Sequence, residues 1–384
     1  MGMRLCADVG CVCGKRYVSD LPVGEGVIQP WKLAVESGEL WGNDRSLPWL
    51  GKPLRDSFFH PNERHVELQT KRSKKKRNII ILNTIDFLYG HCLLKLLNVE
   101  DILKSMPDDW GVIVIAQQFL EWLIPEGISE RWIVDISLEE GRDFFPSFHM
   151  QIHETLKKYD RVNVSRALPH PTKYTVSRFT GVYPHRFNEE EPYITYIWRE
   201  DRTWPETEKP VRGSAAQRAE DRSIHIQSEH VQRLFGFLRE QYPSFKFAVA
   251  GLGAPGGLPE YIEDWRTERF TASIERQLCQ LYARSRVVVG LHGSSMLLPS
   301  GHAGFTIDLM PLKRWRNYGQ DFLYQESDAR RSSYRFRCLP VQITPDDLAF
   351  IINELLENWF VFEERLRLGN TSELIDTGEL YKTT

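Results

Sequence analysis

SRVVVGLHGSSMLLPSGHAGFTIDL, residues 285–309, is the most informative stretch of this sequence. Residues 287–291 form an apolar run rich in valine, which is typical of a strand buried on both faces of a parallel sheet. The run ends at HGSS, residues 292–295, where glycine permits a tight turn and serine can cap a following helix. A second apolar run follows at 305–309. The pattern predicts a βαβ unit with an imidazole at the ligand-binding edge of the sheet.

The same alternation of strand and helix patterns runs through most of the chain. Short apolar runs rich in β-branched residues predict further strands, and apolar residues at helical spacing predict the helices between them. Strands that alternate with helices form parallel sheets with right-handed crossovers, so the sequence predicts an α/β protein with two Rossmann-like domains. The predicted strands are 78–82, 111–116, 132–136, 193–198 and 245–250, and the predicted helices are 91–105, 229–242 and 273–284.

Changes of composition along the chain divide it into four segments. Residues 1–77 are predicted to form an irregular appendage and a basic linker, because the first seventy are rich in glycine, proline and tryptophan without a sustained period. We place the first Rossmann-like domain at 78–190, the second at 191–345 and a helical tail at 346–384. The polar stretch 199–222 predicts a mobile loop.

The overall composition is that of a globular protein. Of 384 residues, 41% are hydrophobic and 26% charged, and the net charge is -3. These values predict sizeable cores and argue against nucleic-acid binding by bulk charge. No apolar run reaches the roughly 18 residues that span a bilayer. The N-terminus has neither a signal-peptide nor a myristoylation pattern, so we expect a cytoplasmic protein.

Two local features have an ordinary and a functional interpretation. The basic run KRSKKKR, residues 71–77, is either a solvated linker or a contact with anionic lipid that would hold the protein at a membrane surface. Cys6, Cys11 and Cys13 are close enough in sequence to bind zinc together, but no CxxC pair completes a familiar site. We therefore expect free thiols.

The stretch around His292 resembles the signature of glycosyltransferase family 61. In that family a strand ends in V-G-x-H-G-A-G-L-T-N, and a short helix leads to a second strand of the type V-I-E-L-x-P. The match here is VGLHGSSM at 289–296 and TIDLMP at 306–311, with two serines in place of Ala-Gly and Asp308 in place of the commoner Glu. ITYIWREDR at 194–202 is similar to the family's strand ending in Ser-Arg.

The resemblance implies a GT-B-like fold, in which two Rossmann-like domains with parallel sheets face a cleft. The second domain would hold a UDP- or GDP-linked sugar, and the first would face a glycan, glycoprotein or glycolipid acceptor. Transfer would proceed with inversion. The C-terminal helix would cross back to the first domain. No Asp-x-Asp motif stands at a strand end, so we expect no obligatory metal or other cofactor.

By the same resemblance, several residues would contact the donor. Arg199 would bind the diphosphate, and His292 would lie on its phosphate side and stabilise the leaving group. The ordinary alternatives are a surface charge for Arg199, a role that we favour for Arg202, and a turn-stabilising hydrogen bond for His292. The remaining predicted donor contacts are Gly293, Ser294, Ser295, Asp308 and Tyr318.

The general base that would deprotonate the acceptor is left open by the sequence. Tyr89-Gly90-His91 resembles an aromatic-x-His element of the family that opens a helix of the first domain. Each candidate base also has an ordinary role in a core or a helix cap. The candidates are His91, Asp86, His149, His153 and Asp201.

Gly251 and Gly253 begin a G-x-G-x-x-G pattern after a predicted strand, which is also found in dinucleotide-binding proteins. We favour a loop that lines the donor cleft, because Gly257 delays any following helix. Two other functions stay open. One is an NAD(P)-dependent oxidoreductase that uses this loop, and the other is a non-catalytic glycosyltransferase-like interaction module.

Overall fold

The protein is described by a computed structural model that covers residues 3–21, 23, 30–168, 170–205, 214–323 and 328–369, without the side chains of 214–220. The strands in these ranges are β1 (Cys6–Gly10), β2 (Arg16–Asp20), β3 (Trp31–Ala34), β4 (Leu40–Gly42), β5 (Leu68–Arg72), β6 (Asn78–Asn83), β7 (Trp110–Gln117), β8 (Glu130–Val134), β9 (Arg161–Val164), β10 (Tyr193–Trp198), β11 (Lys246–Leu252), β12 (Ile262–Thr267), β13 (Ser285–Leu291), β14 (Phe305–Met310) and β15 (Phe336–Pro340). The α-helices are α1 (Lys52–Phe59), α2 (Tyr89–Leu97), α3 (Val99–Ser105), α4 (Pro146–Leu156), α5 (Ser177–Thr180), α6 (Ser214–Gln241), α7 (Ala272–Arg284), α8 (Leu297–His302), α9 (Ala329–Arg335) and α10 (Pro345–Gly369).

Residues 285–309, quoted at the start of the sequence analysis, form the centre of a six-stranded parallel sheet. The strand order is β12-β11-β10-β13-β14-β15. All six residues of β10 and of β14 are buried, because α7 and α8 cover one face of the sheet while α6 and α10 cover the other. The strands predicted at 193–198, 245–250, 287–291 and 305–309 are confirmed.

A second sheet, built from the preceding part of the chain, has the order β5-β8-β7-β6-β9. Its strands β6 to β9 are parallel, and β5 runs antiparallel to β8 at the edge. The strands predicted at 78–82, 111–116 and 132–136 are confirmed. The predicted α/β architecture, with two Rossmann-like domains and parallel sheets, is therefore confirmed.

The predicted irregular structure before residue 78 is wrong. Strands β1 to β4 form an antiparallel sheet, and β5 belongs to the first Rossmann-like sheet, so the basic run begins inside a strand. These strands are three to five residues long, too short to produce a detectable hydrophobic period. The core of the antiparallel sheet consists of Val18, Trp31, Leu33, Leu50 and Leu54.

Two predictions about the second domain's helices are also wrong. Helix α6 begins at Ser214, so residues 214–222 of the stretch predicted to be a mobile loop are helical, while 206–213 lies outside the described residues. Helix α10 packs on the second domain instead of the first, with Trp359 in its core and Asn353 accepting a hydrogen bond from Tyr242 at 2.6 Å. Residues 370–384 of the predicted tail lie outside the described residues. Within the described ranges, no helix is both long and apolar enough to cross a bilayer.

The two Rossmann-like domains meet where α2 faces α7 and the turn after β13. The hydroxyl of Tyr89 and the indole N–H of Trp122 donate to the two carboxylate oxygens of Glu275, at 2.9 and 3.0 Å. Gly90 packs so closely that a β-carbon there would lie 2.9 Å from the β-carbon of Ser294. The start of α2 therefore packs directly on the turn after β13, residues 292–295, which we call the signature turn.

Candidate functional site

A cavity of about 650 Å³ lies in the cleft between the two domains. Most of its wall comes from the ends of β10 and β11 and from the turn after β13, while Tyr89 and Leu138 contribute from the first domain. The carboxyl ends of parallel strands are the edge at which open α/β sheets bind ligands. The volume lies within the range of about 300 to 1,000 Å³ that is usual for small-molecule sites.

Arg199 lies across the signature turn at one end of this cavity. Its Nη1 donates to Oγ of Ser295 at 3.2 Å, and its Nε and Nη2 donate to the carboxylate of Asp201 at 2.9 and 2.7 Å. Gly293 has a φ of +146°, and a β-carbon at this position would overlap Nη1 of Arg199. Glycine is therefore required both by the backbone conformation and by the close approach of the guanidinium.

Arg202 is the second cation at this turn, although the sequence favoured a surface role for it. Its Nη1 donates to the carbonyl oxygen of His292 at 2.6 Å. Burial lowers the pKa of Arg202, and the positive charges of Arg199 and Arg314 lower it further. The charge of Asp201 acts in the opposite direction. Arg202 therefore holds the backbone at the start of the turn and adds positive charge beside Arg199.

His292 lies behind the cavity wall instead of forming it. Its side chain is 4% exposed, and its Nδ1 lies 2.8 Å from Oδ2 of Asp308 and 2.7 Å from Oδ2 of Asp321. Burial by itself lowers the pKa of His292, but the hydrogen bonds and charges of the two carboxylates outweigh it and raise the pKa to about 9. At neutral pH the ring is therefore an imidazolium held between two carboxylates.

His292, Asp308 and Asp321 form a buried triad, and Asp321 connects it to the signature turn. The same Oδ2 that faces His292 also accepts the backbone N–H of Gly293 at 2.5 Å. The turn is thus fixed from behind, and the N–H of Gly293 is already occupied. Ser294 and Ser295 line the cavity and begin a short 3₁₀ segment, and the first N–H groups of a helix have no acceptor within the helix.

Asp308 lies on the other side of the triad. It is completely buried, and burial raises its pKa. Its Oδ1 has no hydrogen-bond partner among the described residues. Asp308 therefore contacts His292 and does not line the cavity, so its placement does not show the donor contact that the resemblance implied.

The triad of His292, Asp308 and Asp321 has residue types that can bind a metal ion. The three ligand atoms, one each from His292, Asp308 and Asp321, lie within 4.8 Å of one another. Ligands about 2.0 to 2.1 Å from a tetrahedral zinc ion would be roughly 3.3 Å apart, whereas the nitrogen-to-oxygen separations here are 2.7 and 2.8 Å. These are hydrogen-bond lengths, so we interpret the group as an ion triad.

The glycine loop after β11 lines the cavity but is not followed by a helix. Gly251 has a φ of +131°, and a β-carbon there would overlap the carbonyl of Trp198. The next regular element is strand β12, and the carboxylate of Asp264 accepts the backbone N–H of Gly256 at 2.7 Å. A dinucleotide site needs a helix N-terminus for the pyrophosphate, so this loop lacks an essential part of such a site. Gly253 packs on the Trp198 indole and the Glu200 carboxylate.

Two predicted site residues, His91 and Tyr318, do not line the cavity, whereas the candidate base Asp201 does. Nδ1 of His91 lies 3.6 Å from Oδ1 of Asp86, a fully buried carboxylate that pairs with Lys95 at 2.6 Å. Tyr318 is 60% exposed at the end of a short 3₁₀ segment. The candidate bases His149 and His153 lie on α4 with ring centroids 4.4 Å apart, and they too are not part of the cavity wall.

The sequence also missed much of the cavity wall. Its carboxylates include Glu200, Glu268 and Glu275, and Phe270 adds an aromatic face. Burial raises the pKa of Glu275. These residues follow strands or lie inside a helix without forming any motif, so no sequence pattern singles them out. Asp321 likewise lies in a loop without a recognisable signal.

No protein-family model matches this sequence, and no curated protein matches it either. Among solved structures, E. coli ADP-heptose lps heptosyltransferase II aligns at a TM-score of 0.41 with 13% identity, covering 73% of this chain and 99% of that chain. E. coli heptosyltransferase WaaC with ADP aligns at 0.40 with 12% identity, covering 72% and 99%. The iron-containing dodecameric glycosyltransferase TibC from enterotoxigenic E. coli aligns at 0.34 with 11% identity, covering 75% and 78%.

Proposed function

We propose that this protein is a glycosyltransferase that moves a sugar from a nucleoside diphosphate sugar to a hydroxyl group of a glycan, glycoprotein or glycolipid. The observation that carries the proposal is the position of Arg199 across the signature turn, at one end of the cleft cavity. A departing diphosphate gains negative charge, so a transferase needs cations and N–H donors already in place. Arg199 and the N–H groups of Ser294 and Ser295 would supply them, while Arg202 holds the carbonyl of His292 at the start of the turn.

The rest of the cavity supports a ligand with a neutral, hydroxyl-rich part. Glu200, Glu268 and Glu275 line the wall, whereas the cation among the lining residues is Arg199. Ionised carboxylates accept hydrogen bonds and are well suited to hydroxyl groups. A ligand that is anionic at one end and rich in hydroxyls elsewhere matches this distribution, and a nucleoside diphosphate sugar has both properties.

Glu275 is the group that we assign as general base. It faces the first domain, from whose side the acceptor would enter, and burial raises its pKa, as a base working near neutral pH requires. Asp201 fits less well, because its salt bridge to Arg199 counteracts burial and leaves its pKa lowered. A base that activates the acceptor opposite the departing diphosphate leads to a single displacement with inversion.

The proposal is tested by calorimetric titration with ADP, UDP and GDP and with the corresponding nucleosides. Arg199→Ala should weaken binding of the diphosphate by at least tenfold and leave nucleoside binding within twofold, because the lost contact is a charge-assisted hydrogen bond to phosphate. Arg233→Ala is the matched control, since Arg233 also pairs with a carboxylate, Asp346, but lies on α6. Equal losses for both ligands would overturn the assignment of the diphosphate site.

Titration with NAD⁺ and NADP⁺ and an assay of sugar release separate the other two functions. An NAD(P)-dependent oxidoreductase would bind NAD⁺ or NADP⁺ in preference to nucleoside diphosphates. The structure disfavours this function, because a strand and not a helix follows the Gly251 loop. A non-catalytic module would bind the diphosphate without hydrolysing or transferring any sugar. Sugar release from a set of ADP-, UDP- and GDP-linked sugars, measured on the purified protein, distinguishes that case from an active transferase.

A contact with anionic membranes would rest on few charges. Lys71 and Arg72 pair with Glu121 and Glu130, at 2.6 and 2.7 Å. Nζ of Lys76 donates to a backbone carbonyl, and the seventh residue of the run, Arg77, pairs with an aspartate at 2.7 Å. Within the described structure, Lys74 and Lys75 form no ion pair. These two lysines are therefore the groups through which peripheral membrane contact would act.

A further inference from the structure

Two cysteines, Cys11 and Cys13, lie at the tip of the first hairpin and are not part of the cavity wall. Strands β1 and β2 are joined by a turn in which the N–H of Cys11 donates to the carbonyl of Lys15 at 2.8 Å and the N–H of Gly14 donates to the carbonyl of Cys11 at 2.9 Å. Cys13 and the fully exposed Val12 project from this turn. The backbone N–H of Cys13 also donates to Sγ of Cys11, at 3.5 Å.

Cys6, which the sequence grouped with this pair, is separated from it by the length of β1. It is level with Asp20 at the opposite end of the hairpin, whereas Gly10 and Arg16 flank the turn. Five residues of strand cover roughly 17 Å. A zinc ion shared by all three cysteines is therefore excluded by the strand register, and the tip holds a pair of thiols.

The two thiols of the tip are close enough to be joined. Residues two apart in a chain have Cα atoms at most about 7 Å apart, and the turn brings them nearer. Disulfides form at Cα separations of about 4.4 to 6.8 Å. Oxidation of this pair therefore requires rotation of the two side chains and leaves the pairing of β1 with β2 in place.

Cys13 also differs from Cys6 and Cys338 in the direction in which its pKa is shifted. A hydrogen bond from the Cys11 thiol lowers the pKa of Cys13, and a backbone N–H of Lys15 adds to the effect. By contrast, burial raises the pKa of Cys6 and of Cys338 to about 12. Because the thiolate is the nucleophile in disulfide exchange, Cys13 is the preferred attacking group.

We propose that Cys11 and Cys13 form a thiol–disulfide exchange site that reacts with low-molecular-weight disulfides, independently of the proposed transferase activity. The Cys13 thiolate attacks one sulfur of the external disulfide, forming a mixed disulfide and releasing one thiol. Cys11 then loses its proton and attacks the Cys13 sulfur, which releases the second thiol. One external disulfide is reduced to two thiols as the pair is oxidised to one Cys11–Cys13 disulfide.

The experiment treats the reduced full-length protein with oxidised glutathione and follows intact mass and peptide maps. We expect the loss of two hydrogens, with the new disulfide in the peptide that contains residues 11–13. Cys11→Ser should accumulate a mixed disulfide on Cys13, and Cys13→Ser should react at least tenfold more slowly. Cys338→Ser is the control and should behave as the parent protein.

Three results would overturn the proposal. They are a mixed disulfide that persists in the parent protein without closing, a Cys13→Ser variant that reacts at the parent rate, and modification spread evenly over all six cysteines. The substitutions lie in an exposed turn, and circular dichroism of each variant identifies any that misfold. Alkylation rates of Cys13 in a Cys11→Ala variant provide a second measure, which should fall because alanine cannot donate the hydrogen bond of the Cys11 thiol.

Discussion

Replacing His292 with glutamine should remove a pH-dependent part of the stability of this protein. The ring is buried between Asp308 and Asp321, which raise its pKa from an ordinary value of 6.5 to about 9 in the folded chain. A raised pKa means that the folded state binds the proton more tightly than the unfolded state does. The contribution is therefore fully present below about pH 6.5 and is lost as the pH rises through 9.

The expected size follows from the two pKa values. The interval between 6.5 and about 9, at about 1.4 kcal/mol for each pH unit, corresponds to about 3 kcal/mol of unfolding free energy. Because the His292 side chain is 4% exposed, screening by solvent reduces this value little. The unfolding free energy of the wild type should thus fall by about 3 kcal/mol relative to His292→Gln between pH 6.5 and 9.

Urea unfolding followed by tryptophan fluorescence at several pH values measures this difference, and other titrating groups cancel between wild type and variant. His302→Gln is the matched control. Burial lowers the pKa of His302 to about 4, so its ring is neutral in the folded chain across this range, and in the unfolded chain it loses its remaining proton just above pH 6.5. Its difference from wild type should change by less than about 0.5 kcal/mol between pH 6.5 and 9. Parallel curves for wild type and His292→Gln would refute the imidazolium assignment.

Three further predictions concern the cleft and the basic run. Gly293→Ala should abolish measurable nucleoside diphosphate binding in calorimetry, because a β-carbon there overlaps the Arg199 guanidinium. Glu275→Gln should lower the rate of sugar transfer by at least about 10² while donor affinity stays within twofold, since a general base acts on the acceptor. Replacing Lys74 and Lys75 with glutamine should weaken binding to acidic vesicles by about 2 kcal/mol in sedimentation assays.

Each of these has a control and an outcome that contradicts it. Gly256→Ala shares the positive φ but meets open space, so normal binding by this variant would assign the Gly293 effect to the clash. Glu263→Gln removes a carboxylate that accepts from Tyr193 outside the cavity wall, and a rate loss as large as that of the Glu275 variant would exclude a specific base role. Vesicle binding by the parent protein that is absent or insensitive to salt would leave the basic run a solvated surface.

The sequence by itself determined the architecture of the two Rossmann-like domains. Runs such as residues 287–291 and 305–309 are apolar throughout, and this property is visible locally because both faces of the strands are covered. The end of β10 also placed Arg199 at the edge where the strands of a parallel sheet terminate. In contrast, the N-terminal sheet has short strands whose pattern is too brief to recognise.

Only the tertiary structure decided which side chains meet at that edge. Asp321 reaches His292 from a loop 29 residues further along the chain, and Glu275 enters the cavity from the face of a helix that packs between the domains. Such contacts depend on strand register, on loop path and on the docking of one domain against the other. None of these leaves a periodic signal in the sequence, because a polar residue that serves a distant partner has the same local pattern as one that faces water.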